Sequence, residues 1–309
     1  MLDVLKQQLL TKAPQPLVYG AKARAQRLMV RRHGLARALD GARAADERLG
    51  IDALRQLDRE FPAQAAVAID AHWTAQAVRD RAARRIEVMA ALIGKDWQGC
   101  EQVLETGVGD GIMSMLMATE HGKTVTANDH QSDELDPGVV PAGVEFVKAS
   151  ASDMPLPDDA FDLVISHDAF EHFDDPAGAL DEAIRVCRPG GLLYVRYGPL
   201  YRSAEGLHAG ARLGVPFAPV LFERETIDDF VEESHREPIY HSYCNEWSLA
   251  QFRELFASRS HLVETVQSFE HLELYGVELI SRYPEVFKRM SGDLDEFLVA
   301  YPEMLLRKR

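Results

Sequence analysis

The chain has 309 residues, 46% hydrophobic and 27% charged, with a formal net charge of −15, which is long enough for one large α/β domain carrying extra elements. That acidity argues against nucleic acid as the main partner, since phosphate binding needs a basic face, and it favours a small-molecule substrate. No apolar run approaches the roughly 18 residues of a membrane span, and the N-terminus lacks the apolar core of a secretory signal. Cys100, Cys187 and Cys244 are scattered and read as packing residues, so the expected location is a reducing cytoplasm.

Residues 1–98 are rich in Ala, Arg, Leu and Gln, with Pro14, Pro16 and Pro62 as the main breaks, and read as a helical N-terminal extension. Within 1–43, nine Lys and Arg stand against Asp3 and Asp40. The favoured reading is a basic helical arm docked on the protein's own acidic body; a membrane-surface or transit-like role is the alternative. A homodimer through these helices is the candidate assembly. Between 79 and 92, Ala82, Ile86, Met89 and Ala90 recur at helical spacing, with Ile93 just beyond, as expected of a helix packed on a sheet.

From residue 101 the pattern alternates. Strands are expected at 102–106, 124–129, 144–148, 161–166 and 191–197, with helices or loops between, the signature of a parallel sheet. Asp175 as N-cap and Pro176 at the first helical position open a helix with Leu180, Ile184 and Cys187 on one face; Arg188-Pro189-Gly190-Gly191 stops it. Residues 199–247 break the rhythm with aromatics, histidines and prolines, and read as a lid insertion beyond a strand end. Phe217, Phe222, Tyr240, Tyr243 and Trp247 in it either line a pocket or fill a core. Ser248-x-x-Gln251 is a capping box, followed by a strand near 262–268, a helical stretch near 272–298 and a last strand near 303–308.

The chemistry gathers at strand ends. Val103 to Gly111 runs from an apolar strand through Gly107, Gly109 and Gly111 into a helix, a turn suited to a ligand. Its glycine spacing differs from the Gly-x-Gly-x-x-Gly dinucleotide fingerprint, and Glu105 beside the turn suits a positively charged amino-acid group. Asp129 ends the next strand, where a carboxylate accepts both ribose hydroxyls. Asp153, in Ser152-Asp153-Met154, follows the third strand and suits an adenine amine, with Met154 on the ring face.

Taken in order, the Glu105 to Gly111 loop, Asp129, Ser152-Asp153, the strand Phe161 to Ser166 and Arg185 to Gly191 resemble class I S-adenosylmethionine-dependent methyltransferases. The resemblance covers about residues 101–198. It implies a Rossmann-like fold of seven mostly parallel strands with helices on both faces, in a domain spanning 99–309 with the lid at about 199–247. It also implies that Glu105, Thr106, Gly107, Gly109 and Gly111 hold the methionine part, Asp129 the ribose, and Ser152, Asp153 and Met154 the adenine, with His167 alongside. Glu171-His172 looks like the Glu-His pair of the branch acting on small molecules.

Methyl transfer is an in-line displacement that needs alignment and, for a hydroxyl acceptor, a base. His167, His172 and His208 are the candidates, with His208 preferred because it lies in the insertion beside Tyr197, Tyr201 and Arg202; loop-ordering is the alternative role. A metal centre from His208, His235, His241 and nearby acids lacks tight ligand spacing, so no metal is expected. The expected activity is methylation of a small molecule, on oxygen of a glycan precursor or natural product. N- or C-methylation of a metabolite and a non-catalytic S-adenosylmethionine-binding role are the alternatives.

Overall fold

The computed structural model describes residues 15–63 and 74–309; the first fourteen residues, with Lys6, Lys12 and the break at Pro14, lie outside the described residues, as does 64–73. Period-two alternation sends Val103, Leu163, Ile165, Leu192 and Leu305 to one face of a sheet and Leu104, Val164, Leu193, Val195 and Leu306 to the other, so both faces must be covered. The strands are β1 (Gln102–Thr106), β2 (Thr124–Asp129), β3 (Glu145–Lys148), β4 (Phe161–His167), β5 (Cys187–Arg196), β6 (Val263–Leu272) and β7 (Val299–Lys308). They form one seven-stranded sheet in the order β3-β2-β1-β4-β5-β7-β6, parallel through β5, with β7 antiparallel to both neighbours. The fold is the expected Rossmann-like one. Strand order reverses between β1 and β4, which opens a crevice at the carboxyl ends of these strands.

Helices α1 (Gln15–Arg32), α2 (Leu35–Gly41), α3 (Ile51–Glu60) and α4 (Ala75–Ile93) precede the sheet. Pro16 does not break α1; it sits in the first turn, where its missing N–H has no partner to lose. Helix α4 buries Ala82, Ile86, Met89 and Ile93 as expected, plus Leu92, and packs with α5 (Ile112–His121) on one sheet face. Helix α1 lies against β6: Gln26 Nε2 donates to the Leu272 carbonyl at 2.8 Å, and Arg27 pairs with Asp295 at 3.0 Å. Helix α1 is thus held against β6 and the 293–295 turn through Gln26 and Arg27.

On the other face lie α6 (Pro176–Val186), α7 (Ala218–Leu221), α8 (Arg224–Glu233) and α9 (Leu249–Ser258), followed by the short helices α10 (Glu278–Arg282), α11 (Pro284–Met290) and α12 (Asp295–Leu298). Asp175 caps α6 by accepting from the Gly178 amide at 2.9 Å, and Ser248 and Gln251 form the expected capping box. Strand β5 starts earlier than expected, at Cys187, because Arg188 to Gly191 bulges out: Cys187 pairs with Phe161, and the ladder resumes at Leu192 with Leu163. Strands β6 and β7 are likewise longer than expected, since they pair with each other along most of their length.

The 199–247 segment contributes to the core as well as to the surface. Phe217 and Phe222 are buried with α7, whereas Tyr240 and Tyr243 are exposed and Trp247 is half-buried.

Candidate active site

Three positions of the loop between β1 and the helix that follows have a left-handed backbone suited to glycine, and two show why. At Gly107, φ is 73° and a Cβ would come 2.5 Å from Ala169 Cβ; at Gly111, φ is 68° and a Cβ would come 2.7 Å from Leu135 Cδ1. The loop is therefore pressed against the segment following β4 on one side and against residues 135–139 on the other. Gly111 caps the start of α5, whose first amide, that of Ile112, donates to Asp110 Oδ1 at 2.9 Å.

Glu105 is buried at the end of β1 and accepts a 2.5 Å hydrogen bond from Ser114 Oγ on α5. Burial pushes its carboxyl up to about 7, partly offset by the Ser114 bond. Thr106, also buried, donates to Asn128 Oδ1 at 2.8 Å and ties β1 to β2. Asp129 ends β2 beside the loop: Oδ2 accepts from the Gly109 amide at 3.1 Å, and Oδ1 accepts from the Gln131 amide at 3.1 Å, with His130 Nδ1 at 3.0 Å. Glu105, Thr106, the glycines and Asp129 are thus gathered at one strand-end rim.

The remaining expected cofactor residues are placed less uniformly. Ser152 is half-buried with Oγ 2.9 Å from Ser150 Oγ, and Asp153 is exposed. Met154 is buried in the core under the sheet, its amide donating to Glu182 Oε2 at 2.9 Å, which turns it inward rather than onto an open face. His167 is buried at the end of β4, where desolvation holds its pKa below the usual histidine value.

Asp168, which composition and spacing did not single out, carries much of the local charge. Burial would raise its pKa, but His167, Arg196 and Arg85 hold it well below the usual carboxylate range. Arg85 NH2 bonds it at 2.6 Å, and Arg196 also pairs with it. With Arg81 and Glu303 these residues line a cleft of about 330 Å³ beside α4. Asp168 has φ 54°, a left-handed backbone that sequence pattern does not reveal.

A larger cleft, about 640 Å³, lies beyond β5 and is lined by Pro199, Leu207, His208, Ala209, Tyr275 and Tyr301. His208 Nε2 donates to the Pro199 carbonyl at 2.9 Å, and its Nδ1 lies 3.4 Å from Cys244 Sγ. Burial, with His172 nearby, pushes the His208 pKa down to about 4. His172 Nδ1 donates to the Tyr243 carbonyl at 2.6 Å, leaving Nε2 3.6 Å from Glu171 Oε1; burial lowers its pKa too. The two imidazoles are 5.1 Å apart between centroids. Cys244, read from sequence as packing, thus stands against both rings, a contact between residues too distant in sequence to be read from spacing. His241 instead bonds Asp228 at 2.8 Å, so the grouping of His208 with His235 and His241 does not form.

Residues 104–195 match the model of the family described as "Methyltransferase domain". This segment is therefore similar to a methyltransferase domain. The domain is 34% identical over 99 residues to a demethylmenaquinone methyltransferase of Clavibacter sepedonicus, covering 31% of this chain and 40% of that protein. It is 31% identical over 116 residues to an uncharacterized methyltransferase of Mycobacterium sp. (strain JLS), covering 35% of this chain and 46% of the relative. The chain therefore spans less than half of each of these curated relatives. Among solved structures, the PH0226 protein from Pyrococcus horikoshii OT3 is 16% identical with a TM-score of 0.46, over 82% of this chain and 99% of that one. The methyltransferase family implies S-adenosylmethionine as the methyl donor. No helix among the described residues is long and apolar enough to cross a membrane.

Proposed function

We propose that this chain is an S-adenosylmethionine-dependent methyltransferase acting on a small molecule, with a hydroxyl oxygen of a glycan precursor or natural product as acceptor. The observation that carries the reading is the strand-end rim, where a buried carboxyl with its pKa near neutrality and a second carboxylate flank a glycine loop that leads into a helix N-terminus. These groups fit the donor. Glu105 meets the ammonium, Asp129 the ribose hydroxyls, and Ser152 and Asp153 the adenine edge, with Met154 packed beneath them, while Arg81 and Arg85 bring positive charge to the neighbouring cleft.

When bound, the donor supplies an electrophilic methyl on a sulfonium. The chain's own task is alignment, exclusion of water and removal of the acceptor proton. His172 and His208 are the groups assigned to that proton, with His167 on the cofactor side. Each of the pair keeps one nitrogen not bonded to a backbone carbonyl, and His208 stands on the wall of the larger cleft.

The test is calorimetric titration with S-adenosylmethionine and, separately, with its demethylated product. Micromolar binding of both is expected, and Asp129→Ala should weaken both by tenfold or more, in line with roughly 1.4 kcal/mol per tenfold. Absence of binding by the wild type overturns the reading. A homodimer remains our proposal, with exposed Leu17, Leu28 and Met29 on α1 as its surface; sedimentation velocity decides it.

A further inference from the structure

Two histidines and a cysteine drawn from three separate segments meet beside the larger cleft. His172 follows β4, His208 sits in the turns after β5, and Cys244 follows the short helical turn His241–Tyr243. One ligand atom from each lies within 4.8 Å of the other two. The arrangement is pinned: the Asn245 amide donates to the Glu171 carbonyl at 2.8 Å, and Asn245 Nδ2 donates to the Phe170 and Phe173 carbonyls at 2.7 and 3.0 Å. We propose that His172, His208 and Cys244 form a binding site for a divalent transition-metal ion of the zinc class.

The hydrogen bonds of the two rings are the first argument. A carbonyl oxygen only accepts, so Nδ1 of His172, bonded to Tyr243, and Nε2 of His208, bonded to Pro199, both carry hydrogen. Their lone pairs are then on Nε2 of His172 and Nδ1 of His208. Metal-ligating histidines are oriented in this way, by donating the other N–H to a backbone carbonyl or a carboxylate. The second argument is distance. With metal–sulfur and metal–nitrogen bonds of about 2.3 and 2.0–2.1 Å, a tetrahedral site holds thiolate and imidazole nitrogen about 3.6 Å apart; Cys244 Sγ and His208 Nδ1 are 3.4 Å apart.

The third feature is an acidic group at the edge of the cluster: Glu171 is buried, with Oε1 3.6 Å from His172 Nε2 and backbone amides of Glu171 and Gly198 on its carboxyl. Sulfur and imidazole donors select zinc-like ions over magnesium or calcium. Three protein ligands leave a coordination position, as in catalytic rather than purely structural zinc sites. With the ion bound, the imidazole lone pairs otherwise assigned to the acceptor proton would be taken up by the metal, and the ion in place of the rings would lower the pKa of an acceptor hydroxyl in the cleft that His208 lines; this use of the ion rests on the methyl-transfer reading, whereas the site itself does not.

The experiment is titration of the chelator-treated full chain with cobalt(II), which reports a bound thiolate by near-ultraviolet charge-transfer absorption, followed by displacement with zinc(II). One equivalent of cobalt(II) should generate that band, and zinc(II) should abolish it. Cys244→Ser should lose the band, and His208→Ala should weaken cobalt(II) binding roughly tenfold or more, while Cys100→Ser should retain both. No band in the wild type, or a band that survives Cys244→Ser, overturns the inference. Calorimetry with S-adenosylmethionine on the same samples separates the two claims: intact donor binding without metal binding removes the metal site alone, and the reverse removes the methyl-transfer reading alone.

Discussion

Glu105 is buried at the crevice, bonded through its side chain to one hydroxyl, and held near half-ionisation at neutral pH. Its pKa in the fold, about 7, lies above the usual 4.5. The protonated form is therefore favoured by folding, so the stability it contributes is fully present below about 4.5 and is lost as pH rises through 7. Binding of a cationic ammonium has the opposite sign, because it needs the ionised carboxylate. Affinity for S-adenosylmethionine should fall roughly tenfold between pH 7.5 and 6 and level off only where the ligand's own amine deprotonates, near 8. Calorimetry across that range checks it, and Glu105→Gln should flatten the profile. His208 makes a separate prediction. His208→Ala should lower turnover by about 10²-fold, the scale of proton-transfer assistance, and leave donor affinity within twofold or so; unchanged turnover removes His208 from the proton step. Glu105 and His208 were both visible in the sequence because their neighbours were, the glycine loop for one and an aromatic-rich insertion for the other. Cys244 and Asp168 were not, since a thiol–imidazole contact and a left-handed backbone arise from tertiary packing that leaves no local pattern.

The element that concentrates these groups is the turn between β1 and α5. Its backbone is left-handed at Gly107, Gly109 and Gly111, and Gly107 sits where a methyl would strike Ala169 at 2.5 Å and Phe173 at 3.2 Å. Gly107→Ala carries a conformational cost of about 1–2 kcal/mol for the left-handed backbone, with a steric cost on top. It should lower the thermal midpoint by several degrees and abolish donor binding, since the residues pushed away belong to the segment that carries Asp168, Glu171 and His172. Measuring both quantities matters: a lowered midpoint with unaltered affinity would show that the loop is a structural turn and not a cradle. At this scale the sequence was most informative. Strand cores, the α6 cap and the Ser248–Gln251 box are short-range patterns and came out where expected. Strand ends did not, because the early start of β5 depends on pairing Cys187 with Phe161 across a bulge, and the length of β7 on having a neighbour on each side.

At the scale of the molecule, helices α2 and α3 and the segments inserted after β5 share one apolar core. Leu35 and Leu39 of α2, Leu54 and Leu57 of α3, and Ile227, Phe230 and Val231 of α8 are all buried in it. Ion pairs reinforce the seam: Arg236 reaches Asp58 at 2.7 Å through both terminal nitrogens, Arg282 reaches Glu60 at 2.6 Å, and Arg55 reaches Glu233 at 2.6 Å. Exposed pairs such as Arg282–Glu60 and Arg55–Glu233 are worth little, typically below about 1 kcal/mol each, whereas Arg236–Asp58 is two-pronged and part-buried. Leu57 is fully buried on the α3 side of this seam. Leu57→Ala should cost about 2–5 kcal/mol, the range for a leucine truncated in a packed core. Arg55→Ala should cost under about 1 kcal/mol. Chemical denaturation followed by far-ultraviolet circular dichroism gives both values. If α3 is part of the unit that holds the larger cleft, Leu57→Ala moves a single cooperative transition, and a bound donor, which stabilises by about 2.7 kcal/mol at a hundred times its dissociation constant, moves that same transition back. A separate, early transition that the donor leaves in place would mean that α3 folds apart from the sheet and has no part in shaping the site.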